Sequence, residues 1–398
     1  MQLKVLIADK LSPAAVDALA ELGASVRLEP DLTADALPDN VGDAEVLVVR
    51  STKVSRATIE AARELSLIVR AGAGVNTIDI EAASEYGVSV ANCPGKNTAA
   101  VAELAVGLMI CADRRIPAAT ADLVAGNWRK KEYGKASGLH GRTVGIVGFG
   151  SIGRAFAVRA QALGMRVCAW SRSLTSAIAD EAGVEYCAGI IDVAERSDVV
   201  SVHLAVSSET KGLIGSEFFG AMRDGATFIN TSRGEIVDQD ALASAISTRG
   251  IQAALDVYAD EPSGGEADFG DTAFAALLSA ATPHIGASTD QAAEAIAAET
   301  VRVIESYIQT GKPVNAVNIR AKAAKDVSLV VRHYNQVGVL ASVLDELKDA
   351  GINVEEMENT IFQGGTTATC SLKLDKAPSA GHLDRMRTGE HIIQVMLK

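Results

Sequence analysis

Apolar residues along this chain follow two alternating rhythms. Short runs rich in Val, Ile and Leu (LKVLIA, EVLVV, LIVRAGAG, VSVANC) are separated by stretches with helical spacing (AVDALAEL, ATIEAAREL, IDIEAASEYG). Runs that are apolar throughout suit strands buried on both faces, and the helical stretches suit crossovers, so the pattern predicts a parallel sheet covered on both sides. The rhythm reopens at Thr143 with RTVGIVGFG and continues through RVCAW, DVVSVHLA, ATFINTS and IQAALDV. An Ala-rich helical segment from about Thr98 to Ala125 separates the two series, and a second helical run spans about Asp290 to Gln309. GKP at 311–313 breaks that run, and AKAAKD reads as a linker. Beyond it come strand (VSLVVRHY), helix (GVLASVLDELKDAG), strands (NVEEMENTIF, TTATCSLKL), a helix near His382 to Met386 and a strand (HIIQVMLK). That order predicts a small, separate α+β unit.

A length of 398 residues exceeds what one hydrophobic core usually organises and suggests two or three domains. The formal charge of -13 argues against a general attraction to nucleic acid or anionic membrane, so any anionic ligand must be met by local cations. Cys93, Cys111, Cys168, Cys187 and Cys370 are scattered and lack metal-ligand spacing. They read as reduced thiols in a cytoplasmic protein without a metal site. The N-terminal apolar run is too short for a signal peptide, and no stretch has the length of a membrane span.

The first chemical signal is Gly148, Gly150 and Gly153 in GFGSIG, between a strand and the helical AFAVRAQALG. In that context the first Gly permits a tight turn, the second lets a diphosphate approach the backbone, and the third lets helix pack on strand. The chain is thus expected to bind a nicotinamide dinucleotide. The carboxylate that should follow on the second strand, to grip the ribose, is absent from MRVCAWSRS; Ser171 and Arg172 stand there instead. A hydroxyl beside a guanidinium can receive a 2′-phosphate, so NADP is as strong a candidate as NAD. Alternatively, Arg172 faces solvent or stacks on the adenine.

The second signal is Arg233 in INTSRGEIVDQDAL, Glu261 in ALDVYADEP and His284 in TPHIGAST, all at or just past the ends of predicted strands. Reducing a ketone with hydride needs a proton donor, a cation for the substrate's carboxylate and carbonyl, and a means of keeping the donor charged near neutral pH. His, Arg and Glu supply those three.

These segments, with RAGAGVNTIDIEAA and ANCPGKNTAAVAEL before them, resemble the D-isomer-specific 2-hydroxyacid dehydrogenases in family order, from about residue 4 to residue 318. The resemblance implies that Arg233 binds carboxylate and keto oxygens, that His284 is the acid/base and that Glu261 raises its pKa. It implies that Asp256 contacts the nicotinamide carboxamide, with Ser151, Ile152 and Thr231 completing the cofactor set. The backbone at Gly74 and Val75 would receive the substrate carboxylate, with Asn97 beside it. The implied fold is a Rossmann-type dinucleotide domain (residues 99–284) inserted in a flavodoxin-like substrate domain (1–98 and 285–318), with the active site in the cleft between.

Arg50, Lys53 and Arg70 lie in VVRSTKVS and IVRAGAG of the substrate lobe. Cations beyond the carboxylate receptor suit a second anionic group such as a phosphate, which favours 3-phosphoglycerate. WRKKEY matches a segment that in relatives reaches a neighbouring subunit's site, which makes Arg129, Lys130 and Lys131 further candidates; the competing reading is a solvated face. Residues 327–398 resemble an ACT domain, an α+β ferredoxin-like ligand sensor. His333, Asn335 and, from a facing subunit, Asn353 would hold an amino-acid effector such as serine, in a homo-oligomer (dimer or tetramer). Val337 stands where the resemblance expects Pro before Gly338. A purely structural pairing module is the alternative there. For the whole chain the alternatives are a glyoxylate or hydroxypyruvate reductase, for which WSRS is more typical, and a non-catalytic cofactor-sensing protein on the same scaffold.

Overall fold

The computed structural model describes residues 2–262, 266–320 and 327–398. It divides into a first unit ending at Ile319 and a second running from Arg320 to Lys398. The expected linker AKAAKD falls at 321–326, outside the described residues.

The first unit holds two parallel sheets. One comprises β1 (Lys4–Ile7), β2 (Ser25–Leu28), β3 (Val46–Val49), β4 (Leu67–Arg70) and β5 (Ser89–Asn92), in the order β2-β1-β3-β4-β5. All four residues of β3 are buried, as a strand covered on both faces requires. The other comprises β6 (Thr143–Val147), β7 (Arg166–Trp170), β8 (Glu185–Tyr186), β9 (Val199–Val202), β10 (Thr227–Asn230), β11 (Gln252–Leu255) and β12 (Ala280–Ala281). Their order is β12-β11-β10-β9-β6-β7-β8, the doubly wound arrangement of a Rossmann-type domain. The strand order reverses between β6 and β9, which opens a crevice at their C-terminal ends.

The helical segment expected from Thr98 to Ala125 is two helices, Thr98–Arg114 and Ile116–Val124. Arg115 between them is left-handed, with φ 51°. Pro117, in the first turn of the second helix, lacks an N–H, and its ring would collide with the carbonyl four residues back if the helix continued. The first of these helices packs Ala102, Leu108 and Met109 into the core that holds Phe156 and Ala160 of the helix Ser151–Ala162. The helix Asp290–Thr310 returns to the first sheet, where Ile296, Val303 and Ile304 share a core with Val5, Ile7, Val46 and Val48. Each such fully buried aliphatic side chain contributes at most about 1.5–3 kcal/mol. Past Gly311 (φ 69°) the chain pairs with β5, the Val317 amide donating to the Val90 carbonyl at 2.8 Å. The two ends of the unit therefore share the core of the five-stranded sheet.

The second unit comprises β13 (Val327–Tyr334), the helix Val339–Asp349, β14 (Val354–Ile361), β15 (Thr367–Leu374), the helix Ala380–Arg387 and β16 (Ile392–Leu397). The strands form an antiparallel sheet in the order β14-β15-β13-β16. This is the βαββαβ plan of a ferredoxin-like α+β unit. Leu329, Val331, Leu372 and Leu374 on one sheet face share its core with Val343, Leu347, Leu383 and Met386 of the helices. Among the described residues no helix is long and apolar enough to cross a membrane.

Candidate active site

The turn after β6 enters the helix Ser151–Ala162 through three glycines with different environments. Gly148 has φ 102°, and a Cβ there would stand 2.4 Å from the His203 carbonyl oxygen. A Cβ at Gly153 would stand 2.2 Å from the Gly148 carbonyl oxygen, so neither position accepts a side chain. Gly150 differs: a Cβ there meets nothing within 4 Å. It caps the helix without a side-chain bond to the first amides. Its space is therefore open to a ligand from outside, and the first-turn amides and the helix dipole suit a diphosphate. Ser151 is exposed and Ile152 half-buried beside it. Past the end of β10, the Thr231 hydroxyl is buried with no hydrogen-bond partner among the described residues, a polar group left over for a ligand. These features fit a dinucleotide.

At the end of β7 Ser171 is half-buried, and Arg172 forms an exposed ion pair with Glu209 at 2.5 Å. Glu209, in the loop after β9 two strands away, escaped sequence reasoning, since only its contact with Arg172 brings it to this end of the sheet.

The histidine loop is built on Asp256, which is 1% exposed. Its carboxylate accepts bonds from the Thr282 hydroxyl (2.6 Å) and the amides of Ile285 (2.8 Å) and Gly286 (2.9 Å). Burial raises its pKa against the opposing pull of those bonds. Asp256 thus spends its oxygens on the backbone that carries His284. The His284 amide donates to the Asp256 carbonyl at 2.8 Å, and His284 itself has φ 52°. A non-glycine residue held there is strained, a cost of order 1–3 kcal/mol that the Asp256 bonds offset.

His284 Nδ1 meets Glu261 Oε2 at 2.6 Å, while Glu261 Oε1 accepts from the Tyr258 amide at 3.0 Å. Burial alone would raise the Glu261 pKa, but the bonds from His284 and Tyr258 and the nearby Arg233 charge hold it below the ordinary carboxylate value. With a carboxylate on Nδ1, that nitrogen carries a proton, and Nε2 is the atom left to exchange one.

Arg233 is aimed by its neighbours. The Asn230 side-chain amide donates to its carbonyl at 2.9 Å, and its own guanidinium donates to the Ser232 carbonyl at 2.6 Å. From there it reaches the loop after β4: a Cβ at Gly74 would lie 2.4 Å from Arg233 Nη2. The amides of Gly74 and Val75 donate no backbone bond among the described residues. Asn97 begins the helix Thr98–Arg114 without spending its side chain on a cap.

Arg70, at the end of β4, has a buried Nε with no partner. Burial, then the charges of Arg233 and Arg50, push its pKa down to about 10. Arg50 begins a loop whose amides at 50, 51 and 52 all donate to Asp9, an anchor that sequence reasoning missed. Lys53 is exposed on the same loop. In WRKKEY, Arg129 pairs with Asp122 at 3.4 Å, Lys130 and Lys131 lie on an exposed four-residue helix, and Trp128 is 80% exposed.

In the second unit His333 is 2% exposed, its Nδ1 bonded to the Tyr334 carbonyl and its Nε2 to Asn359 Oδ1. The Asn335 side chain donates to the Gly365 carbonyl. Leu374 pairs with both Val327 and Val354, whereas His333 pairs with Ala368, so Asn353 sits at the opposite end of the sheet. One chain does not bring these three residues together. Val337 is fully exposed, and Gly338 after it has φ 89°.

A glycine turn that fits a dinucleotide, a His-Glu pair and an arginine beside the Gly74 loop are the parts a hydride-transferring oxidoreductase needs. Residues 106–286 match the D-isomer specific 2-hydroxyacid dehydrogenase, NAD binding domain. The chain is 35% identical over 357 residues to the D-3-phosphoglycerate dehydrogenase of Methanocaldococcus jannaschii, covering 89% of this chain and 67% of that protein. It is 36% identical over 351 residues to the Archaeoglobus fulgidus enzyme of the same name, covering 86% and 64%. The chain thus spans about two thirds of the length of the curated relatives it matches. The NAD+-bound 3-phosphoglycerate dehydrogenase of Entamoeba histolytica superposes with a TM-score of 0.68 at 27% identity, covering 81% of this chain and all of that one. The chain belongs to the D-isomer specific 2-hydroxyacid dehydrogenase family, oxidoreductases that use a nicotinamide dinucleotide.

Proposed function

We propose that this protein interconverts D-3-phosphoglycerate and 3-phosphohydroxypyruvate with NAD or NADP. The observation that carries the substrate is the cluster of Arg50, Arg70 and Arg233: Arg70 leaves a buried nitrogen unpartnered, and its pKa is lowered first by burial and then by the charges of Arg233 and Arg50. A small keto acid needs one carboxylate receptor, which Arg233 and the Gly74 and Val75 amides supply. Arg50, Arg70 and the exposed Lys53 are cations in excess of that need, and a phosphate matches them. The curated relatives named above support the same substrate.

The Gly148–Gly153 turn, Thr231 and the end of β7 would hold the dinucleotide, which would supply the acceptor for a hydride from C2 of the substrate. Arg233 holds the substrate carboxylate and the C2 oxygen and stabilises negative charge developing there. His284 Nε2 removes the hydroxyl proton as the alcohol is oxidised and returns it in the reverse direction. Glu261, ionised and bonded to Nδ1, orients the ring and stabilises the imidazolium. Asp256 acts on this step by positioning the 284–286 backbone.

The domain division at about 98 and 285, serine as an effector of the second unit and assembly with a second copy complete the reading. Exposed Ile116, Leu123, Val124 and Trp128 on and after one helix suit burial against such a copy. The free cysteines suit the cytoplasm.

The deciding experiment is a steady-state comparison of 3-phosphoglycerate, glycerate and glyoxylate with both cofactors, repeated for Arg50→Ala. Phosphoglycerate should be preferred, and the variant should lose kcat/KM for it by roughly ten- to a hundredfold more than for glycerate. Equal losses on both substrates would remove the phosphate assignment, and a preference for glyoxylate would make the protein a glyoxylate reductase.

A further inference from the structure

The acid that ordinarily binds the adenosine ribose stands at the end of the second strand of a dinucleotide domain. Here that place holds Ser171 and Arg172, and the fold brings a carboxylate to it from elsewhere. Glu209, in the loop after β9, pairs with Arg172 at 2.5 Å. Because β6 lies between β7 and β9, this contact joins the loops that leave the two strands flanking β6, at whose C-terminal end the Gly148–Gly153 turn begins. Strands are spaced by about 4.8 Å, so the two loops leave the sheet roughly 10 Å apart and converge at this pair.

The loop that presents Glu209 is tied down. The Ser207 amide donates to Thr210 Oγ1 at 2.8 Å, the Glu209 amide to Ser207 Oγ at 3.3 Å, and Thr210 Oγ1 to the Ala205 carbonyl at 2.7 Å. The pair itself is exposed, at 74% and 68% for the two side chains, and exposed pairs add little to stability. Its location matters more than its strength.

We propose that Glu209 is the residue that sets cofactor choice: steered by Arg172, its carboxylate takes the place of the missing strand-end acid, favouring a bare ribose and disfavouring a 2′-phosphate. A ribose hydroxyl can donate to this carboxylate while the ion pair stays intact. A 2′-phosphate must instead break the pair to reach Arg172 and then sit beside a like charge. The protein therefore prefers NAD, although WSRS alone reads as suited to NADP. This rests on the dinucleotide reading of the crevice given above.

Titration of NADH and NADPH by nicotinamide fluorescence, with wild type, Glu209→Gln, Arg172→Ala and the double variant, tests it without turnover. Glu209→Gln should tighten NADPH by roughly three- to tenfold and weaken NADH slightly, and the gain should shrink as salt is raised. The double variant should lose the gain, because no cation remains for the phosphate. Glu209→Ala, at the same exposed position, repeats the test without an amide. If both cofactors bind to wild type and Glu209→Gln leaves their ratio within twofold, or if wild type already prefers NADPH, the assignment of Glu209 is overturned. If wild type binds neither cofactor, the dinucleotide reading itself fails, a distinct result.

Discussion

Replacing Arg70 with Met should stabilise the ligand-free protein while removing most of the stabilisation that a phosphorylated ligand provides. The guanidinium is largely buried, its Nε has no partner, and Arg233 and Arg50 add like charge. Lowering an arginine from its ordinary value to about 10 corresponds to about 3 kcal/mol of penalty on the charged form. The penalty is fully present below about pH 10, hence at neutral pH, and fades only as the pH rises from there toward the ordinary arginine range. Met keeps the aliphatic stem but gives up the packing of the guanidinium over Gly72, where a Cβ would overlap Arg70 Nη1. A net gain of about 1–3 kcal/mol remains, which for a unit of this size is a rise of several degrees in Tm. Melting of wild type and Arg70→Met, alone and with saturating 3-phosphoglycerate or inorganic phosphate, reads both halves. Wild type should rise sharply with ligand, and the variant should start higher and rise little. A variant that melts below wild type without ligand, or one that retains the full ligand shift, would refute the idea that this cluster is strained in order to receive an anion.

Three further outcomes follow from the site. His284→Ala and Arg233→Ala should each lower kcat by about 10²–10⁴-fold while NADH binding by fluorescence titration stays near wild type, since neither residue is assigned to the dinucleotide. Glu261→Gln should cost less than either and displace the acidic limb of the pH profile for 3-phosphoglycerate oxidation toward lower pH. The reason is that the ionised carboxylate, held below its ordinary pKa, supports the imidazolium that a neutral amide does not; a limb that stays in place would remove Glu261 from the proton transfer. Gly150→Ala and Gly153→Ala should separate binding from folding. The first meets open space within the protein and should fold normally with weakened dinucleotide binding, whereas the second presses on the Gly148 carbonyl at 2.2 Å and should lower Tm.

How much of this could be read from the chain depended on whether a residue's role is local. β3 and β6 were legible because strands covered on both faces must be apolar throughout, and every residue of each is buried. β2 (SVRL) was not, because an edge strand with mostly exposed positions carries no such run, and β8 and β12 are two residues long. Arg115 breaks a stretch with unbroken helical spacing, and Pro117 was its only written sign. The glycine turn and the His, Arg and Glu were legible because their chemistry lies in residue type and nearby sequence. What could not be read is which distant group each charge meets. Arg172 meets Glu209, 37 positions on, and Arg70 lies near two other arginines, with Asp9 only a weak counter-charge. The first contact turns an apparent phosphate receptor into half of an ion pair. The second turns an ordinary strand-end arginine into the best argument for a doubly anionic substrate. His333 shows the same limit in the second unit: its motif suggests an exposed ligand contact, but alternation along β13 turns it inward with Leu329 and Val331, where Tyr334 and Asn359 occupy both ring nitrogens. An effector could be bound through His333 only by displacing one of those partners, so any amino-acid response of this unit has to rest chiefly on its exposed asparagines and on a second copy that brings Asn353 to the far end of the sheet.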